Sequence, residues 1–67
     1  MNRNLLRAKI VENGLTMDEV ADKSGMHKGT LYAKLAGRSQ FYVDEINRIC
    51  DLLHIDQPED KCKIFLD

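Results

Sequence analysis

The stretch TMDEVADKSGMHKGTLYAKLAG, residues 16–37, constrains the fold more than any other part of this chain. Thr16 stands three residues before Glu19, the T-x-x-E pattern in which two side chains cap the free amides at a helix start. Asp18 and Glu19 suit the positive pole of that helix. Its apolar face, Val20 and Ala21, is short, and the pattern stops near Lys23 and Ser24. Gly25 supplies the positive φ of a tight turn, and Met26 is an apolar anchor within it. From His27 to Ala36 a second helical pattern follows, with Leu31 and Leu35 as its buried stripe and Gly37 as its stop. Two short helices joined by a glycine turn make a helix-turn-helix. Val20 and Ala21 must meet Leu31 and Leu35 at a steep angle, and such a corner projects the N-terminus of its second helix outward.

The rest of the chain is helical in pattern too. In residues 2–13, Leu6 and Ile10 stand four apart beside Leu5, flanked by Arg3 and Arg7, and Gly14 ends the run ahead of Leu15. RSQF at 38–41 reads as a polar loop closing on an aromatic. Residues 43–54 carry Ile46, Ile49, Cys50 and Leu53, the clearest helical series in the chain, with His54 placed to face the negative pole. Asp56 and Glu59 bracket Pro58, which suits a first helical turn, and a fifth short helix follows. Ile64, Phe65 and Leu66 near the end either fold back on the core or build a dimer interface. The expectation is an all-α single domain, residues 1–67, of five helices around one small core. Gly29 stands out, since glycine in a helix costs up to about 1 kcal/mol against alanine.

The net charge of −1 conceals an asymmetry. Residues 1–40 hold seven basic and four acidic side chains, a net +3, whereas residues 41–67 hold three basic and seven acidic, a net −4. A polarised molecule can present a basic face to phosphates while its far side stays acidic. No run is long enough to cross a membrane and the N-terminus lacks a signal-peptide core, so the cytoplasm is the expected compartment. Cys50 and Cys62 form no C-x-x-C pair and read as reduced thiols; a metal site from Cys50, His54 and Cys62 lacks a fourth ligand. The two histidines lie on different helical segments, and no serine or cysteine has a recognisable base. Enzyme activity, a cofactor and a small-molecule substrate are accordingly not expected.

The motif resembles the Cro and C1 type repressors of phages, also called the xenobiotic-response-element family, with a lambda-repressor-like domain. The family pattern appears as Gly14, Leu15, Thr16, Glu19, Ala21, Lys23, Gly25, Thr30 and Leu31, and QFYVDEINRICDLLHI is similar to the family's fourth helix. The resemblance implies a five-helix lambda-repressor-like bundle whose second and third helices bind an operator in double-stranded DNA. By position it places His27, Lys28, Gly29, Tyr32 and Ala33 at the bases. Lys28 and His27 can hydrogen-bond base edges, and Ala33 can touch a thymine methyl. Thr16, Met17, Thr30, Lys34, Arg38, Ser39 and Gln40 fall where phosphate contacts are expected. Two positions depart from the pattern: Met17 replaces a frequent Gln, and Tyr42 replaces the Ser or Thr that usually caps the fourth helix. The implied function is a phage- or mobile-element-type regulator that represses by occluding a promoter, with homodimerisation doubling its readout. The net acidity and the few base-reading side chains support a second reading, an antirepressor-like protein-interaction module on the same fold.

Overall fold

The computed structural model describes residues 1–66, which form α1 (Arg3–Glu12), α2 (Met17–Lys23), α3 (Lys28–Leu35), α4 (Val43–Leu52) and α5 (Pro58–Phe65). Capping chemistry explains most of the starts. The Asn2 side chain accepts from the Leu5 amide at 3.0 Å ahead of α1. At α2 the expected reciprocal box is present: the Glu19 amide donates to the Thr16 hydroxyl oxygen at 3.2 Å, and the Thr16 amide donates to the Glu19 carboxylate at 3.0 Å. Each such cap is worth about 1 kcal/mol. Pro58 opens α5, where its missing N–H costs nothing. At α4 only half of the box forms, the Tyr42 amide donating to Glu45 Oε1 at 2.8 Å.

One device closes α1, α2, α3 and α4. The amide two residues past each cap reaches back five residues, as in Leu15 to Ile10, Met26 to Ala21, Arg38 to Ala33 and Ile55 to Cys50. The preceding amide reaches back three residues, which completes a Schellman motif. The residue between must be left-handed. Gly25 takes that place in the α2–α3 turn with φ of +76°. At the end of α4 the place falls to His54, with φ of +57°, the sole non-glycine residue in that region among those described. The helix expected to run to His54 therefore ends at Leu52, and the histidine turns the chain.

Every helix contributes to one buried cluster: Leu6 and Ile10, Val20 and Ala21, Leu31 and Leu35, Ile49 and Cys50, and Ile64, joined by Leu53 and Ile55 from the α4–α5 connection. Burying each such aliphatic side chain contributes roughly 1.5–3 kcal/mol. α1 packs against α5, and α2 packs against both α3 and α4. Two polar ties reinforce this. The Asn2 amide donates to the Ile64 carbonyl at 2.8 Å, and the Asn13 side-chain amide donates to the Leu53 carbonyl at 3.1 Å. The C-terminal apolar run divides by residue. Ile64 is in the core, Phe65 packs edge-on against Phe41 with centroids 5.4 Å apart, and Leu66 is exposed. Cys50 lies in the core, where burial pushes its thiol up, and Cys62 is exposed on α5. Among the described residues no helix is long and apolar enough to cross a membrane.

Candidate nucleic-acid interface

The α2–α3 corner is held by Val20, Ala21, Leu31 and Leu35, with Met26 half-buried between the helices. Ser24 is also buried there; its hydroxyl donates to the Val20 carbonyl, so the end of α2 hides a polar group without leaving it unpaired. With Leu31 and Leu35 turned inward, helical periodicity turns the opposite arc of α3 out. His27, Lys28, Gly29, Thr30 and Tyr32 are exposed and Ala33 is half-buried. These are the residues that the resemblance assigns to the bases, with Thr30.

The start of α3 differs from that of α2. His27 is its N-cap residue but makes no side-chain cap, and its first turn holds no acidic residue. The first amides of α3 thus have no side-chain cap at the positive pole, beside Lys28. The Lys28 ammonium lies 3.6 Å from the Asp18 carboxylate, and both side chains are more than half exposed. A pair of that kind is worth about 0–1 kcal/mol, so Lys28 is free to be redirected. An added Cβ at Gly29 would meet no atom within 4 Å. No internal contact requires the glycine.

The structure brings the N-terminal ends of α2 and α3 onto one side. A surface depression is bordered by Thr16, Met17 and Tyr32, and also by Arg7 of α1. In the sequence Arg7 reads as a solvated residue of the first helix in preference to a phosphate contact; tertiary packing, not spacing, places it beside the corner. Thr16 is exposed with its oxygen engaged by Glu19. Met17 is half-buried and packs against the core. Arg38, Ser39 and Gln40 are exposed in the connection between α3 and α4.

Lys34 requires a correction. Expected at the phosphates, it is buried instead, with 4% of its side chain exposed and its Nζ 2.9 Å from Glu45 Oε1. The same ammonium donates to the Gln40 carbonyl at 2.7 Å and stands 4.4 Å from the Tyr42 ring centroid. Its charge is neutralised inside the protein. Burial pushes the Glu45 carboxyl up, but the Tyr42 amide and the Lys34 ammonium outweigh burial and hold it below its ordinary value. The signal was present in the spacing: Leu31, Lys34 and Leu35 fall at i, i+3 and i+4, which puts the lysine on the buried stripe.

A family model described as a Cro/C1-type HTH DNA-binding domain matches residues 5–64. Neither the curated proteins nor the solved structures offer a match to this chain.

Proposed function

The chain belongs to the Cro/C1-type helix-turn-helix DNA-binding family, and on that premise we propose that it is a phage- or mobile-element-type repressor that occludes a promoter by binding an operator. In this reading residues 1–67 act as one domain, in the cytoplasm where the DNA is. The outer arc of α3 enters the major groove, where His27 and Lys28 offer hydrogen bonds to base edges and Ala33 meets a thymine methyl. Tyr32 borders the bases or a sugar. Arg38, Ser39 and Gln40, with Thr16 and Thr30, hold the backbone and set register.

The observation that carries this reading is the exposed start of α3, with no acid in its first turn and Lys28 at its first position, in a fold whose family binds DNA. Homodimerisation is part of the proposal, because one or two base contacts at about 1–3 kcal/mol each discriminate poorly on a monomer.

The test is equilibrium binding to duplexes selected from a random pool, across a range of salt. Each phosphate neutralised by a cation adds about 0.9 to the slope of log K against log salt. We expect Arg38→Ala to lower that slope by about one on any sequence, and Lys28→Ala to weaken binding most on the selected sequence. A flat salt response, or indifference to both substitutions, overturns the proposal. Failure to select any duplex, together with a co-purifying protein partner, would favour the antirepressor-like module.

A further inference from the structure

The connection from Ala36 to Tyr42 carries Arg38, Ser39 and Gln40, the side chains assigned above to phosphate, and all three are exposed. Exposed polar residues do not fix a loop by their own packing. The start of this one is held by the Schellman motif that closes α3, through the amides of Gly37 and Arg38. Its far end is held by Phe41, seated edge-on against Phe65, and by the Tyr42 amide on Glu45. Between these anchors the Lys34 ammonium reaches out of α3 to the Gln40 carbonyl at 2.7 Å. The same nitrogen holds Glu45 Oε1 at 2.9 Å and faces the rings of Tyr42, at 4.4 Å, and Phe41, at 5.9 Å.

We infer that Lys34 is a positioning residue for DNA binding: its buried ammonium fixes the α3–α4 connection so that Arg38, Ser39 and Gln40 meet the phosphates in one preset geometry. The inference rests on the DNA-binding reading above and deepens it. Three features support a role in geometry. The ammonium has three N–H groups, and the carbonyl, the carboxylate and the aromatic face give each a partner. Its partners come from three successive stations, Gln40 in the loop, Tyr42 at the cap of α4 and Glu45 in the first turn of α4. Stability alone does not call for a buried ion pair, because an apolar pair of similar volume is often as stable; what the ions add is direction. Rigid support of a binding segment raises affinity by removing the ordering cost at the moment of binding.

The decisive variant is Lys34→Met with Glu45→Met. It removes one positive and one negative charge, so the net charge and the long-range field are unchanged. Binding is measured on the selected duplex across salt, with thermal unfolding and amide hydrogen exchange on the free protein. The expected result is a folded protein whose affinity falls about five- to thirtyfold at an unchanged salt slope, with faster exchange at Arg38, Ser39 and Gln40. Lys34→Arg, which keeps a cation of similar reach, is expected to recover most of the affinity. A slope lowered by about one would make Lys34 a phosphate contact after all. An affinity within twofold of the parent in the folded double variant would show that the loop needs no such support; either result overturns the inference.

Two measurements on the unaltered protein keep the question open to refutation if the double variant does not fold. The Lys34 ammonium should give a slowly exchanging nitrogen-detected resonance that does not move on adding DNA, and a fast-exchanging or strongly shifted one overturns the inference. If the unaltered protein fails to bind duplex, the DNA-binding reading itself has failed, and protected amides at 38–40 would then show a loop ordered for some other purpose.

Discussion

At Gly29 the molecule carries a cost with no internal return. The residue sits second in α3 at an ordinary helical φ, and a Cβ there would meet nothing within 4 Å. Glycine at such a position weakens the helix by up to about 1 kcal/mol, while alanine would add the missing side chain without a clash. No contact within the free protein calls for a glycine there, and close approach of the α3 backbone to DNA is the role that the proposed function gives it. Gly29→Ala should therefore stabilise the free protein by roughly 0.5 kcal/mol, a rise of about 2–4 °C in Tm for a domain of this size. The same variant should bind the selected duplex several-fold less tightly. Calorimetry and a binding isotherm read the two effects separately, and a variant both more stable and equally tight would take Gly29 out of the interface. His27 and Tyr32 lack this kind of internal argument: both are exposed, and only the site's partner can give them a role.

At the scale of elements, two joints decide how α3 and α4 are presented. The first is the left-handed residue after α4. A side chain in that region costs roughly 1–2 kcal/mol, and His54 occupies it where glycine serves after α1, α2 and α3. His54→Gly is expected to raise stability by about 0.5–1 kcal/mol in urea unfolding, a gain partly offset by the greater freedom of the unfolded chain. Destabilisation would mean that the histidine side chain makes a contact that matters. The second joint is Glu45 with Lys34. Because the Glu45 carboxyl is held below its ordinary value in the folded protein, its contribution is complete above the unfolded value of about 4.3 and is lost as pH falls through the lower folded one. Unfolding from pH 7 to pH 2.5 should therefore show a loss in the parent that is smaller in Glu45→Gln. That variant should also be about 1–3 kcal/mol less stable at pH 7, since it leaves the buried ammonium without its counter-charge. These joints also mark the limit of what was legible in the sequence. Helix existence, the α2 box and the core stripes follow from local spacing and capping rules, and all are found. The role of His54, the partners of Lys34 and the place of Arg7 depend on which elements meet. The resemblance puts Lys34 at the phosphates by position, although its spacing from Leu31 already puts it on the apolar face. The fate of Ile64, Phe65 and Leu66 could not be divided from an apolar run alone, because the division depends on Phe41, far away in sequence.

For the molecule as a whole, size and charge set the terms of recognition. The Cα trace measures 27 × 25 × 21 Å, so with side chains added two copies side by side are of a size to span the roughly 34 Å between half-sites one helical turn apart. The charge is polarised along the chain: the net +3 of residues 1–40 includes the corner, and the net −4 of the remainder belongs mostly to α4, α5 and their flanks. With Lys34 neutralised by Glu45, the exposed cations of the proposed interface are few, chiefly Lys28, Arg38 and Arg7. A single copy should show a shallow salt slope of about 2–3 and weak discrimination, and a pair should show about twice that slope. Two duplexes separate these cases, one with a single half-site and one with two in palindromic array at one-turn spacing. Sedimentation and binding should find two copies on the second duplex, with an affinity at least tenfold higher and a steeper salt dependence. Shifting the half-sites by about five base pairs, which puts them on opposite faces of the helix, should abolish the gain. One copy on each duplex, with equal affinity and equal slope, would mean that the protein reads DNA alone and must draw its specificity from more of the α3 surface than His27 and Lys28.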